Sequence, residues 1–115
     1  MEFTALEIWI MRTAIANSAA ASVGELVARG KLLDAMEFTD DEREAIGWRL
    51  AKTENGDEVP LFRADAVIAR NLSEKQVARL RAIVIEMVPT FRVQVHDHVL
   101  SALGKLGWAP TEDDE

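Results

Sequence analysis

The sequence contains no cysteine. This absence excludes thiolate zinc sites, redox-active cysteine pairs and cysteine nucleophiles, and it agrees with a reducing compartment. No apolar run approaches the roughly 18 to 20 residues that span a bilayer. The second residue is Glu2, where a secretory signal would begin with basic residues. The sequence therefore predicts a cytoplasmic protein that does not enter a membrane.

Motifs for catalysis and for cofactors are also missing. None of the six glycines belongs to a Gly-x-Gly-x-x-Gly or Gly-x-x-x-x-Gly-Lys phosphate loop, and no serine lies in a Gly-x-Ser-x-Gly turn. His96 and His98 are the only arrangement that resembles a metal site. On a helix of about 3.6 residues per turn, however, they point about 160° apart. The sequence therefore predicts no enzyme, no metal site and no cofactor.

Hydrophobic residues make up 49% of the 115-residue chain, which is enough for one cooperative core without disulfides or metal. The charges are unevenly distributed. Residues 1–62 carry six basic and twelve acidic side chains, residues 63–109 carry seven basic and four acidic ones, and the last six residues add four acidic ones. We predict a single domain over residues 1–109 and an acidic flexible tail over residues 110–115.

A helix-start signature occurs four times, as a hydroxyl residue followed three positions later by Glu or Gln. In such a pair the hydroxyl accepts a hydrogen bond from an unpaired backbone N–H, and the longer side chain reaches back. The pairs are Thr4 with Glu7, Ser22 with Glu25, Thr39 with Glu42, and Ser73 with Gln76. With apolar residues at helical spacing, they predict helices over residues 5–20, 23–37, 40–54, 63–70, 74–88 and 90–106. The expected fold is all-α, a compact bundle or orthogonal array of five to six short helices.

One segment allows a second interpretation. Asn55 and Gly56 form the clearest turn signal in the chain, so residues 48–54 and 57–63 can also form a small β-hairpin. Pro60 argues against a long second strand, because proline cannot donate to a strand ladder. Helix and hairpin therefore both remain open for this segment.

The first predicted helix is apolar on two sides instead of one. One side carries Leu6, Trp9 and Ile10, and the other carries Ile8, Met11 and Ile15. A helix of this kind is central in a core or is shared with a partner. We expect the surplus apolar surface to bind a partner protein or a second copy, through Ile8, Trp9, Met11, Arg12 and Ile15. The alternative is that other helices of the same chain cover it.

Two groups of charged residues are further candidates for binding. An acidic group can imitate phosphates toward a basic groove, and it consists of Asp34, Glu37, Asp40, Asp41 and Glu44. A basic stripe in residues 63–92 can contact nucleic acid, and it consists of Arg63, Arg70, Lys75, Arg79, Arg81 and Arg92. Nucleic acid is the less favoured partner, because the protein as a whole is acidic. Both groups can also be ordinary solvated surface.

Two phrases resemble the compact helical accessory proteins that bacteriophages often encode. They are Phe3-Thr-Ala-Leu-Glu-Ile-Trp-Ile and Phe38-Thr-Asp-Asp-Glu-Arg-Glu-Ala-Ile-Gly-Trp. The resemblance is one of style and carries no functional residue. It implies a short acidic protein, located in the host cytoplasm, that docks on a host complex or assists virion assembly.

The sequence thus predicts a non-enzymatic binding protein that regulates or inhibits a host macromolecular complex by covering a surface. The target complex would belong to defence or nucleic-acid processing. A self-associating assembly protein and a nucleic-acid-binding regulator are the alternatives.

Overall fold

The computed structural model describes residues 1–109, so the predicted acidic tail at residues 110–115 lies outside the described residues. The described elements in chain order are β1 (Glu2–Thr4), α1 (Ala5–Asn17), α2 (Val23–Ala35), α3 (Asp40–Ile46), β2 (Arg49–Lys52), β3 (Glu58–Leu61), β4 (Val67–Ala69), α4 (Glu74–Met87) and α5 (His96–Lys105). Two 3-10 turns, Val88–Thr90 and Val93–Val95, join α4 to α5. The predicted all-α bundle is therefore wrong, because two small antiparallel sheets accompany the helices.

All four predicted helix starts are confirmed. Thr4, Thr39 and Ser73 each accept a hydrogen bond from the backbone N–H three residues later, and the Glu or Gln at that position accepts one in return. Ser22 accepts from the Glu25 N–H, while the Glu25 carboxylate accepts from the preceding Ala21 N–H at 2.7 Å. Local side-chain chemistry fixes where α1, α2, α3 and α4 begin.

Strands β2 and β3 form the hairpin that the sequence allowed as an alternative, and the predicted third helix ends early, at Ile46. Gly47 stops α3 with a φ of 70°, a left-handed conformation that glycine adopts without a Cβ clash. Gly56 turns the hairpin with a φ of 85°. Pro60 is tolerated in β3 because both strands of a two-stranded sheet are edges.

The segment predicted as a helix over residues 63–70 instead turns and forms β4. This strand pairs antiparallel with β1 and sets Phe3 opposite Ile68, and both side chains are buried. A backbone hydrogen bond from Ala5 to the Ala66 carbonyl extends the ladder. A helix of two turns is marginal alone, whereas the strand gains long-range hydrogen bonds and buried apolar area. The helix prediction was wrong because a partner strand more than sixty residues away leaves no local signal.

The last helix is shorter than the predicted range of 90–106, because the two 3-10 turns replace its first part. Its C-terminal end is where the sequence placed it. Gly107 has a φ of 89° and donates to the Gly104 carbonyl, while the Trp108 N–H donates to the Leu103 carbonyl. These two bonds satisfy carbonyls that the end of α5 leaves free.

Helix α1 lies at the centre of the core and packs against α2, α4 and α5. Ile8 and Met11 are fully buried, and Ile15 is 4% exposed. The surplus apolar face predicted to bind a partner is therefore core in these three positions, because neighbouring helices of the same chain cover it. Of the described helices, none is long and apolar enough to cross a bilayer.

Glu7 is a buried charged residue on α1, with 2% of its side chain exposed. Its carboxylate accepts from the Thr4 N–H at 2.7 Å and from the Lys105 ammonium at 2.5 Å. Burial alone raises the pKa of Glu7, but the Lys105 ammonium, the Thr4 N–H and the Ser101 hydroxyl outweigh burial and lower the pKa below its ordinary value. The ionised Glu7 therefore fastens α5 to the start of α1.

Candidate functional surface

Helix α2 presents an apolar stripe to the solvent. Val23, Leu26 and Val27 are 78%, 64% and 53% exposed, and with Gly30 they share one helix face. On the helical wheel Val23 lies about 180° from the buried Leu32, so Val23 points directly away from the core. A side chain added at Gly30 would meet nothing within 4 Å. We call Val23, Leu26, Val27 and Gly30 the α2 stripe.

A shallow apolar groove runs beside the α2 stripe, between α1 and α2. Two cavities of about 210 and 140 Å³ both contact Ala16 and Leu33, so they are neighbours, and we treat them together as one groove. Leu26 and Gly30 line one end of this groove, and Trp9 lines the other. We call it the α1–α2 groove. Because Leu26 and Gly30 belong to both features, stripe and groove form one continuous surface.

Four aromatic rings cluster where the α1–α2 groove reaches Trp9. Their centroids are 5.4 to 6.3 Å apart, and the rings belong to Trp9, Phe38, Trp48 and Phe62. The Arg12 guanidinium lies 5.6 Å from the Trp9 centroid, and the Arg43 guanidinium lies 5.6 Å from the Trp48 centroid. Glu37 accepts from Arg12 at 2.8 Å and from Arg43 at 3.0 Å. It therefore holds both cations over aromatic faces, where they are attracted by the ring electrons.

The aromatic cluster brings together three residues that the sequence predicted for binding: Trp9, Arg12 and Glu37. All three are half-buried. The Nε atoms of Arg12 and Arg43 are buried without a hydrogen-bond partner among the described residues, so these guanidinium groups act through their outer nitrogens and their flat faces. The cluster joins α1, the turn before α3 and the base of the hairpin. It stiffens one end of the continuous surface.

The remaining acidic candidates are exposed, and they follow the α2 stripe along the chain. We call them the acidic rim: Asp34, Asp40, Asp41 and Glu44. Asp40 and Asp41 stand in the first turn of α3, where carboxylates complement the positive end of the helix dipole. Asp34 stands in the last turn of α2, where a carboxylate is unfavourable. The structure therefore explains Asp40 and Asp41 locally but leaves Asp34 without a structural role.

Three arginines of the predicted basic stripe are hydrogen-bonded to other parts of the chain. Arg63 donates to the Ala45 carbonyl, Arg81 donates to the Leu106 carbonyl, and Arg70 pairs with Glu42. The Arg70 hydrogen bond lowers the pKa of Glu42, because it outweighs the opposing effect of burial. Four residues of the stripe are exposed: Arg63, Lys75, Arg79 and Arg92. Lys75 and Arg79 share their groove with the carboxylates of Glu25 and Glu86.

The two histidines occupy the first turn of α5, so they point apart as predicted. His96 lies with its Nε2 3.1 Å from the Phe91 carbonyl oxygen. Among residues 1–109 no group of three potential ligands is close enough to hold a metal ion.

Comparison with family models, with curated proteins and with solved structures finds no significant match to this chain.

The sequence analysis did not single out the α2 stripe, because Val23, Leu26 and Val27 lie at a helical spacing that is equally typical of a core-facing side. A signal was present. Like α1, helix α2 has apolar residues on two opposite sides, and the second side carries Leu32 and Met36. Both helices therefore show the same two-sided pattern, but neighbouring helices cover most of α1 while one side of α2 stays exposed.

Proposed function

We propose that this protein is a non-enzymatic binding protein that covers a surface of another macromolecule. Its contact surface is the α2 stripe together with the α1–α2 groove. The outward-facing α2 stripe carries this proposal. Contiguous apolar patches on soluble proteins mark interaction sites, because exposure of that area to water is unfavourable. The side chains of Val23, Leu26 and Val27 point into solvent, so they contribute little to the stability of the fold. We therefore attribute their apolar character to binding.

The surroundings of the α2 stripe indicate the chemistry of the partner. Asp34 continues the stripe one turn beyond Gly30, and the rest of the acidic rim follows on α3. A matching partner is a protein with an apolar ridge, such as one face of an amphipathic helix, and with Lys or Arg at one end of that ridge. The apolar part would supply affinity, and the charges would set orientation and association rate.

The biological role that we propose is inhibition or adaptation of a host complex by occlusion of its surface. This role is supported by the resemblance to phage accessory proteins and by the contact surface above. The acidic rim would face the basic surface of a defence or nucleic-acid-processing complex.

The test compares two double variants whose substituted residues differ in location but are similarly exposed. Val23→Glu with Leu26→Glu places two charges on the α2 stripe, at residues that are 78% and 64% exposed. The matched control is Val93→Glu with Leu100→Glu, at residues that are 79% and 50% exposed and lie next to or on α5. Glutamate near the start of α2 is favourable for the helix dipole. All four substituted sites are exposed, so both double variants should fold.

Each protein is tagged and used to isolate partners from bacterial lysate at low and at high salt, with mass spectrometry as the readout. We expect the wild type and the control to recover the same complex, less of it at high salt, and the stripe variant to lose it. Equal recovery by the stripe variant would refute the proposed surface. An asparagine variant of Asp34, Asp40 and Asp41 should retain the complex but show a weaker salt dependence.

Self-association is a second candidate, favoured by the shape of the α2 stripe. In an antiparallel pairing of two α2 helices, Val23 of one copy would lie opposite Gly30 of the other, and Leu26 opposite Val27. The open space at Gly30 would then receive a side chain. Asp34 would lie beside the positive end of the second helix, where its charge is favourable.

The mass of the purified protein in solution decides between the two candidates. A dimer that becomes a monomer in the Val23→Glu, Leu26→Glu variant would favour self-association. A wild type that is monomeric at all concentrations would exclude it.

A further inference from the structure

A second groove lies on another part of the molecule, between α3 and β4. Its volume is about 560 Å³. One wall consists of the consecutive residues 65–69, which include all of β4, and the other wall consists of Glu42, Ala45 and Ile46 on one face of α3. A groove with a strand along one side and a helix along the other has the shape of a site for an extended peptide. We call it the α3–β4 groove.

The hydrogen bonds of β4 show that this groove borders an open strand edge. Arg70 donates its N–H to the Met1 carbonyl, and the Ala66 carbonyl accepts from the Ala5 N–H. These two residues flank β4, so by alternation Ile68 between them also directs its N–H and C=O toward β1. In an antiparallel ladder the residues in between point their N–H and C=O groups to the opposite side. Val67 and Ala69 are those residues, and both line the groove. The Ala69 carbonyl accepts one hydrogen bond from the Arg70 side chain, which leaves its second lone pair.

We propose that the α3–β4 groove binds an extended segment of a partner protein, which adds to the β1–β4 sheet as a third strand beside β4. The occupant follows from the donors and acceptors on the wall, because only an extended backbone matches N–H and C=O groups at every second residue. This site is formed by other residues than the α2 stripe, so it stands apart from the proposed function above.

The apolar floor of the α3–β4 groove determines which kind of side chain the bound segment places in it. Residues opposite each other in a sheet point to the same face, so the peptide residue opposite Ile68 would point inward with it. There it would meet Ile46 and Ala45, which form an apolar floor. Charged residues also line the groove: Glu42, which is paired with Arg70, and Arg63 and Asp65. The site therefore selects a short segment with one apolar residue between polar ones.

Two variants remove this site in different ways without touching the core. Val67→Pro removes the N–H that would bond the peptide, and proline is accepted at a strand edge because this N–H lies outside the ladder. Ala45→Trp fills the groove from the exposed side of α3. Val67→Thr is the matched control, since it keeps the N–H and a branched side chain of similar size. Urea unfolding confirms that all three variants are folded.

The probe is a library of random linear peptides displayed on phage and selected on the immobilised wild-type protein. Recovered peptides are synthesised and titrated by fluorescence anisotropy. We expect peptides whose affinity falls about tenfold or more with Val67→Pro and with Ala45→Trp, and stays unchanged with Val67→Thr and with the α2 stripe variant. Binding should also slow hydrogen exchange at the Val67 and Ala69 amides. Failure to recover any peptide, or peptides that bind Val67→Pro and Ala45→Trp as well as the wild type, would overturn the proposal.

Discussion

Replacement of Lys105 by methionine tests how the buried Glu7 is kept ionised. Methionine retains most of the aliphatic stem that carries the ammonium to within 5.9 Å of the Phe3 ring centroid, but it removes the charge. Breaking a buried ion pair costs about 3–5 kcal/mol, because the remaining charge stays in the interior. Since 38% of the Lys105 side chain is exposed, water screens part of the attraction, and we expect a loss of about 1–2 kcal/mol at pH 7.

The loss should depend on pH with a defined sign. In the wild type the folded pKa of Glu7 is lowered, so its contribution to stability is present above the unfolded value of 4.5 and disappears as pH falls through the folded pKa. Without Lys105 two of the causes that lower the folded pKa of Glu7 are lost while burial still opposes ionisation, so this pKa is higher than in the wild type and the stability difference between the two proteins shrinks on acidification. Urea unfolding at neutral pH and at about pH 3 measures both differences. A loss equal to that of the exposed Lys75→Met, or one that does not shrink in acid, would refute this account of Glu7.

Three further changes test the fold. Ile8→Ala should lower the free energy of unfolding by about 3 kcal/mol, because it leaves a cavity in the core. Leu26→Ala on the α2 stripe should change it by less than about 0.5 kcal/mol. Similar losses for the two variants in urea unfolding would mean that the two helix faces are misassigned. Gly107→Ala should lower the free energy of unfolding by about 1–2 kcal/mol, because the φ of Gly107 is 89° and the new Cβ would lie 3.2 Å from the Arg81 guanidinium. An unchanged midpoint of thermal unfolding would contradict this. Gly30→Ala should instead raise stability by about 0.5–1 kcal/mol, since the site is helical and open, and a lower thermal midpoint would show that Gly30 already has a close neighbour.

The sequence predicted local structure where a nearby side chain determines it. The starts of α1, α2, α3 and α4 depend on residues three positions apart, and the end of α5 depends on Gly107, so a local pattern suffices. The all-α fold was wrong where distant parts of the chain decide. Strand β4 forms because β1 is available to pair with it. Strand β2 forms in place of a longer α3, and the rings of Trp48 and Phe62, with centroids 5.5 Å apart, stack at the base of the resulting hairpin.

The residues of the proposed contact surface could be identified from the sequence only in part, and for the same reason. Composition and periodicity identified two apolar faces on α1 but could not tell which helices would cover them. Ile8, Met11 and Ile15 are buried in the core. Trp9 and Arg12 instead lie in the aromatic cluster, where Arg12 is hydrogen-bonded to Glu37 from a different part of the chain. The α2 stripe was not predicted, because apolar residues at helical spacing look the same whether that side of the helix is buried or exposed. Only the position of α1 relative to α2 distinguishes them.

Site-specific photo-cross-linking tests the central claim, that the α2 stripe contacts another protein, most directly. A benzophenone amino acid replaces Leu26 on the stripe or, as a control, Leu100 on α5, two exposed leucines of the same chain. The labelled proteins are irradiated in bacterial cells and analysed by denaturing gel and mass spectrometry. We predict a discrete adduct of higher mass from position 26 and none from position 100. No adduct from position 26, or the same adducts from both positions, would contradict the claim that the α2 stripe is a specific contact surface.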